Sequence, residues 1–426
     1  MDHTEEVTLG PIVGGGQALA VLQDGRKVFV WGGVPGERVI ISLTKKKRSY
    51  AEAIVTEVIE PSEHRVEPED DAYLSTSPWQ IYTFDAEEDY KRTLIEEAFT
   101  LHKVVLPEPV LVKTDRHIYG YRNKVEFSFW YDTDTELLDL AFYRRGTHGK
   151  IAVPGSALAR PEINEAACKI LNRLREAQVG GRDLKTLLVR STAEGEVVAQ
   201  LYAKDPSIVD RLSVDVEALG IQGMEVIYSD PKSPASVITE KLARFGSRLL
   251  ADEVRKVRFN YAAESFFQVN LPVYELALRD MQKFVLSRSP VVDMYSGVGT
   301  IGLTIGGPDP ILIEVNEAAV AEMGRNIADM NSHATAVLAS SESALQYIES
   351  DAVIILDPPR AGLHNAVVDR LLETTPPRII YLSCNPVTQA RDIARLLKGY
   401  KIIDNIGYNF FPRTPHIEHL VVLDRK

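Results

Sequence analysis

Three side chains in the C-terminal third of the chain have the types and placement to do chemistry together. Cys384 follows the apolar run Arg378-Ile-Ile-Tyr-Leu382 and stands before Asn385-Pro386. Asp357 closes a second apolar run, Ala352-Val-Ile-Ile-Leu-Asp357, and stands before Pro358-Pro-Arg-Ala-Gly362. Glu418, in Thr414-Pro-His-Ile-Glu-His419, comes just before a third run, His419 to Leu423. A thiolate is a strong nucleophile and a good leaving group, and a carboxylate within reach can act as a general base. Taken alone, a cysteine at a strand end can be a buried small hydrophobe, and an aspartate before proline an ordinary turn-former. Two neighbouring strand ends, each with a reactive side chain and then a proline, point to a shared crevice.

A fourth strand end carries glycines. Asp293-Met-Tyr-Ser-Gly-Val-Gly-Thr-Ile-Gly302 follows an apolar run and opens a helix, with Gly297, Gly299 and Gly302 in a G-x-G-x-x-G pattern and Thr300 at the helix start. Such a loop lets a ligand approach the backbone closely. A dinucleotide would place its pyrophosphate on the helix N-terminus. S-adenosylmethionine has no phosphate and would use the loop for close contact with its amino-acid part. Glu314, at the end of the next apolar run, can accept ribose hydroxyls in either case. Asp293 favours S-adenosylmethionine, because a carboxylate there would repel a pyrophosphate yet sit well near a cationic ligand. A tight strand–helix turn without a ligand is the plain alternative. His416 and His419 beside Glu418 are metal ligands by type, but no helical His-x-x-x-His spacing or third ligand accompanies them, and no metal site is expected.

One reaction joins a thiol, a base, an aspartate and S-adenosylmethionine. Carbon 5 of a pyrimidine is a poor nucleophile until a thiolate adds to carbon 6. The ring then becomes an enolate, carbon 5 takes the methyl, a base removes the carbon 5 proton and the thiolate leaves. This path needs one cysteine, one base and no metal.

The elements that would position these groups follow from the pattern of the chain. At 426 residues, two or three domains are expected. From about residue 256, strand candidates alternate with helical stretches: 291–294, 310–314, 352–357, 378–382 and 419–423. That alternation predicts an open α/β sheet of Rossmann type over 256–426, with ligands at the carboxyl ends of its strands. Residues 1–60 have glycine turns at Gly14-Gly-Gly16 and Asp24-Gly25 between short β-branched runs, which predicts a small β-barrel. The basic run Lys45-Lys46-Lys47-Arg48 is expected on its connecting loop, either as a solvated loop or as a phosphate-contacting arm. Residues 61–71 read as a linker, 87–103 as a helix, and 61–255 as an α+β domain with strands at 119–130, 140–143, 185–203 and 223–228.

Bulk composition narrows the partners. A net charge of −12 argues mildly against nucleic acid, although one basic groove on an acidic protein suffices. Two cysteines, Cys168 and Cys384, cannot frame a disulfide scaffold or a four-cysteine cluster, and fit a reducing compartment. No apolar run is long enough to span a membrane, and the acidic N-terminal segment lacks signal-peptide character, so a cytoplasmic location is expected, with a monomer as the default.

Five segments, in order, resemble the RNA uridine-5-methyltransferase family that acts on tRNA and 23S rRNA: Phe266-Phe-Gln-Val-Asn270, Asp293-Met-Tyr-Ser-Gly-Val-Gly299, Asp357-Pro-Pro-Arg-Ala-Gly362, Ser383-Cys-Asn-Pro386 and Pro415-His-Ile-Glu-His419. The resemblance implies Cys384 as nucleophile and Glu418 as the proton-abstracting base. It implies that Gln268, Tyr295, Glu314 and Asp357, with Gly297, Gly299 and Thr300 of the loop, line the cofactor and base pocket. Residues 14–60 look like a TRAM domain, and Tyr121-Arg-Asn-Lys-Val-Glu-Phe127 resembles the start of the family's central RNA-binding domain. The likeness therefore implies RNA contacts for Lys45, Lys46, Lys47, Arg48, Arg122 and Lys124, and Phe266 is a candidate to stack on the target base, with a core phenylalanine as the alternative. Two departures stand out. Residues 69–79 lack the cysteines that hold an iron–sulfur cluster in many relatives, so no cluster is expected. Ser340 or Ser341 stands where the family carries an acidic or amide residue near the adenine, which shifts that contact towards Glu342. The TRAM-like region leans the substrate towards 23S rRNA, with the tRNA T-loop as the alternative. The rival readings are a nicotinamide-dependent oxidoreductase, which leaves Cys384 unexplained, and an RNA-binding factor without catalysis.

Overall fold

The structure, a computed structural model, describes residues 4–147 and 149–426; Met1 to His3 of the acidic N-terminal segment lie outside the described residues. The chain divides into two compact units. One holds residues 1–83 and 117–252, the other 84–116 and 253–426.

The first unit contains two sheets. Its six-stranded sheet runs in the order Thr4–Thr8, Arg38–Lys46, Tyr50–Glu60, Lys27–Trp31, Gln17–Val21, Ile12–Val13. The Leu9 N–H donates to the Glu37 carbonyl at 2.9 Å, while the Gly10 N–H donates to the Leu19 carbonyl at 2.7 Å. The segment after the first strand thus bonds towards both ends of the strand order. Its seven-stranded sheet has the order Lys150–Ala152, Leu138–Tyr143, Lys124–Tyr131, Leu184–Ser191, Val197–Ala203, Gly223–Tyr228, Glu240–Gly246. Helix Pro161–Glu176 packs Ile163, Ala167, Ile170 and Leu174 against that sheet's Phe127, Leu187 and Leu201.

Several boundaries differ from those expected. Residues 61–71, expected as a linker, and the residues up to 83 are bonded to the six-stranded sheet. The Arg65 guanidinium grips the fully buried Glu37 carboxylate at 2.5 and 2.8 Å, the Tyr82 hydroxyl donates to the Gly33 carbonyl at 2.9 Å, and Trp79 Nε1 donates to Gly16 at 2.9 Å. These contacts link positions far apart in sequence, so composition alone could not reveal them. Lys45 and Lys46 end strand Arg38–Lys46 rather than lying on a loop, because Lys45 pairs with Glu52 across the ladder at 2.9 Å. The strand expected from Tyr119 begins only at Lys124, since Arg122 is held instead by a bridge to Ala159.

The second unit is built on an eight-stranded sheet in the order Thr335–Leu338, Ile311–Glu314, Val291–Met294, Val353–Leu356, Arg378–Ser383, Glu418–Arg425, Tyr400–Tyr408, Val112–Lys113. The first five strands are parallel; Glu418–Arg425 is antiparallel to both of its neighbours. Strands 353–356 and 378–383 are buried on both faces, which explains their unbroken apolar sequence. From Val291–Met294 the chain moves outward through two strands and then returns to Val353–Leu356 on the other side. That reversal is the switch point at which an open α/β sheet leaves a ligand crevice. Helix Phe84–Leu101 belongs to this unit, not to the central region: Ile95, Ala98 and Phe99 enter the same core as Tyr381, Val421 and Leu423.

Candidate active site

The glycine loop occupies the switch point. Tyr295 adopts φ 68°, a left-handed conformation that non-glycine residues avoid outside constrained sites. Gly299, at φ 91°, precedes helix Thr300–Ile305. Gly302 is required by contact: a Cβ there would collide with Leu312 and press on the Asp293 carboxylate. The Ser296 hydroxyl donates to the Asp293 carbonyl at 2.6 Å and accepts from the Ile313 N–H at 3.1 Å, which staples two strands together.

Glu314 is held rigidly. One oxygen accepts from the Gly297 N–H at 3.0 Å, the other from Val315 and Asn316 at 2.9 and 2.8 Å. The Thr300 hydroxyl bonds the buried Tyr274 hydroxyl at 2.9 Å. Phe266, Gln268, Tyr295, Gly297, Thr300 and Asp357 line one small cavity. Asp293 does not join them. It is fully buried, and its Oδ2 accepts from the Gly302 N–H at 2.9 Å. The carboxylate expected beside a cationic ligand therefore fixes the start of a helix.

The other half of the site is set by strand register. Ser383 pairs with His419 in the antiparallel ladder, so the next residues, Cys384 and Glu418, face each other at its end. Leu356 is level with Tyr381, which brings Asp357 to the same edge. Burial pushes the Cys384 thiol up to about 11, with the negative charges of Glu418 and Asp357 adding to the effect and Arg360 opposing it. Burial also raises Asp357 to about 7 and lifts Glu418 well above the usual carboxylate range, with Asp357 repelling Glu418 and Arg360 favouring its charged form. The two carboxyls thus hold protons between them near neutral pH.

Side chains within the motifs lock them together through contacts that local sequence does not display. Asn385 Oδ1 accepts from the Val387 N–H at 3.2 Å as a helix cap, while its Nδ2 donates to the Arg360 carbonyl at 2.8 Å. The Thr388 hydroxyl reaches the same carbonyl at 3.1 Å, and Asp392 accepts from the Leu363 N–H at 2.8 Å. The loop after Asp357 is thereby fastened to the helix after Cys384. A capping asparagine before a proline was the available signal. The Arg360 side chain lies 3.0 Å from His416 Nδ1.

The two histidines are not a metal pair. His419 is fully buried, its Nδ1 lies 2.8 Å from Gln389 Oε1, and burial drives it down to about 3, so it is a neutral core group. Among the described residues no cluster of three or more His, Cys, Asp or Glu side chains could hold a metal ion. Near the adenine-side departure, the Ser340 hydroxyl donates to Ser343 Oγ at 2.9 Å, and the Ser341 hydroxyl donates to Glu342 Oε2 at 3.2 Å.

Of the two adjacent phenylalanines, Phe266 is 68% exposed, whereas Phe267 is buried and stacks on Tyr261 at 4.1 Å. The alternative of a core residue therefore fits Phe267, not Phe266. The basic candidates Lys45, Lys46, Lys47, Arg48, Arg122 and Lys124 all belong to the first unit. Lys47 and Arg48 are exposed. Burial, with Arg190 and Arg122 close by, pushes Lys124 down to about 8. Among the described residues no helix is long and apolar enough to cross a membrane.

Known proteins are similar to this chain. The model of the tRNA (uracil-5-)-methyltransferase family matches residues 344–426, the segment with Asp357, Cys384 and Glu418. An RNA methyltransferase of Lactobacillus johnsonii is 30% identical over 94% of this chain and 94% of its own. One from Nitratidesulfovibrio vulgaris is 28% identical over 99% of this chain and 96% of its own. In fold, the chain is similar to the tRNA (uracil-54, C5)-methyltransferase of Pyrococcus abyssi, solved with S-adenosyl-L-homocysteine: the TM-score is 0.81, with 22% identity, over 98% of this chain and all of that one.

Proposed function

The chain belongs to the S-adenosylmethionine-dependent RNA (uracil-5-)-methyltransferase family, and from that premise we propose that it methylates carbon 5 of a uridine in RNA, with Cys384 as nucleophile and Glu418 as base. The observation that carries this reading is the apposition of Cys384 and Glu418 at the end of one ladder, with Asp357 at the same edge.

The residues present suit the cofactor. Asp357 and Glu418 are desolvated carboxyls that a neighbouring cation would stabilise. Gly297 leaves open space beside its Cα, and Glu314 stands beside its N–H. Gln268, Tyr295, Gly297, Gly299, Thr300, Glu314 and Asp357 would hold the cofactor. When bound, S-adenosylmethionine supplies an electrophilic methyl on a cationic sulfur.

The protein's own groups do the rest. Cys384, protonated at neutral pH, releases its proton to water as its sulfur bonds to carbon 6 of the uracil. Arg360 favours the thiolate. Carbon 5 becomes nucleophilic and gains the methyl. Glu418, in the ionised form that Arg360 favours, then takes the carbon 5 proton, the ring double bond reforms, the bond to Cys384 breaks and the proton on Glu418 returns to the thiolate. The target base must leave its stack to reach the thiol, and exposed Phe266 offers a ring to receive it. Lys47 and Arg48, with Lys45, Lys46, Arg122 and Lys124, would contact the RNA backbone. The six-stranded sheet serves as the TRAM-like barrel, a reading supported by the bonds from Leu9 and Gly10. We take 23S rRNA as the substrate, with the tRNA T-loop as the alternative; a likeness at 22% identity favours neither.

The test uses methyl-labelled cofactor with unmodified 23S rRNA and tRNA transcripts in parallel. Label should appear in 5-methyluridine of one RNA and vanish in Cys384→Ala. Glu418→Gln should accumulate a covalent protein–RNA adduct. Methyl transfer retained by Cys384→Ala would remove the mechanism, and RNA binding with no label on either transcript would favour a non-catalytic RNA-binding factor.

A further inference from the structure

The loop that leads into Glu418 is fixed by two buried charges from a distant part of the chain. It spans residues 409–417, between strands Tyr400–Tyr408 and Glu418–Arg425. Helix Phe84–Leu101 presents Glu87 and Lys91 to it, one turn apart and both fully buried. Both Glu87 oxygens accept from the Arg413 N–H at 3.1 Å, and Oε1 also accepts from Asn409 Nδ2 at 2.9 Å. The Lys91 ammonium donates to Asn409 Oδ1 and to the Phe411 carbonyl at 2.9 Å, and pairs with Glu87 at 3.1 Å. Its three protons therefore have three acceptors.

Such a pair is a poor way to gain stability, because desolvating two charges offsets their attraction. Here it holds backbone that would not otherwise stay in place. Arg413 sits at φ 65°, a conformation that persists only when its surroundings over-determine it. The order continues along the chain. The Thr414 hydroxyl donates to the Phe411 carbonyl at 2.8 Å and accepts from the His416 N–H at 3.3 Å. His416 then meets the Arg360 side chain, whose charge acts on both Glu418 and Cys384.

We infer that Glu87 and Lys91 are positioning residues for proton removal from carbon 5: they clamp the 409–417 loop and, through His416 and Arg360, set the surroundings of Glu418. The inference rests on the proposed roles of Cys384 and Glu418. Lys91→Met keeps the side-chain length but removes charge and donors. Glu87→Gln is the milder second variant, in which an amide replaces one acceptor oxygen facing the Arg413 N–H.

Two RNAs separate the steps, each based on the transcript that accepts label. RNA with 5-fluorouridine at the target has no carbon 5 proton to lose, so it traps the methylated adduct and reports on Cys384 addition and methyl transfer without proton removal. RNA with uridine reports on proton removal. Both variants should be trapped by the fluorinated RNA at nearly the wild-type rate and bind S-adenosylhomocysteine within about twofold of wild type. With uridine RNA, the methylated adduct should accumulate on denaturing gels, and its release should slow by about tenfold or more. Release at the wild-type rate in either folded variant would overturn the inference. So would parallel loss of trapping and cofactor affinity, which would mark the pair as merely structural. Failure of the wild type itself to be trapped would instead refute the role of Cys384.

Discussion

Asp293 lies in strand Val291–Met294, level with Ile355, and Asp357 lies just past the end of the neighbouring parallel strand Val353–Leu356; burial raises both carboxyls to about 7. By residue type and proton affinity they are alike. Their bonding differs. Asp293 gives Oδ2 to the Gly302 N–H at 2.9 Å and lies wholly inside the protein. Asp357 receives no hydrogen bond among the described residues, lines the cavity, and acts electrostatically on Glu418 and Cys384. A perturbed carboxyl is therefore not enough to mark a chemical site. What separates the two is that Asp293 is shut inside the protein with one oxygen on the Gly302 N–H, whereas Asp357 lines the cavity.

Exchanging each for its amide is the strongest way to break this comparison. Asp357→Asn should lower methyl transfer by about 100-fold or more while the protein stays folded. Asp293→Asn keeps an acceptor for Gly302, and should leave turnover and S-adenosylhomocysteine affinity within about threefold of wild type. Steady-state labelling and calorimetric titration measure both. A large loss of cofactor affinity in folded Asp293→Asn would return that carboxylate to the ligand site.

That pair also marks how far the sequence could be read. Both aspartates were visible as strand ends before a turn, because period and punctuation are local signals. The same holds for the parallel strands, the glycine loop and the helix after Cys384. Nothing local says which way the Asp293 side chain turns, so its type and place alone suggest a ligand group. Arg360 and Asn385 lay inside quoted motifs, yet their roles depend on a loop and a helix meeting in space. Helix Phe84–Leu101 was read correctly as a helix and assigned to the wrong unit. Its amphipathic pattern requires a core without saying which. Strand Tyr400–Tyr408, which pairs with the strand of Glu418, went unread because Asp404, Asn405 and Gly407 interrupt its apolar run.

Proton counting sharpens the comparison with a smaller effect. Burial and mutual repulsion keep a proton on the Asp357–Glu418 pair near pH 7. A cation in the cavity favours the ionised forms, so binding of S-adenosylmethionine should release that proton in part. S-adenosylhomocysteine, neutral at sulfur, should release about half a proton less. Calorimetry at pH 7 in two buffers of different ionisation enthalpy gives the count. Asp357→Asn should shrink the difference between the two ligands and Asp293→Asn should not. Equal release by both ligands in the wild type would detach the carboxyl pair from the sulfur site.

The smallest effect lies in stability. A carboxyl at about 7 in the folded protein has an unfolded value of about 3.9. Between those values the unfolded chain binds fewer protons than the folded one, so this contribution to stability falls as pH rises from about 4 to about 7 and is flat above. That is the opposite sign from a salt-bridged carboxylate. For fully buried Asp293 a shift of this size corresponds to ~4 kcal/mol at most. Other carboxylates contribute slopes of both signs, so the useful quantity is the difference between variants in Tm between pH 5 and pH 7.5. Removing either aspartate should flatten the decline. Saturation with S-adenosylmethionine should then distinguish them. The cofactor's charge would lower Asp357 in the cavity and erase its share of the slope, while Asp293, turned to the start of a helix, should keep its share whether or not cofactor is present. A cofactor-sensitive Asp293 share would mean that the two carboxyls feel the same charge, and the distinction drawn from their bonding would fail.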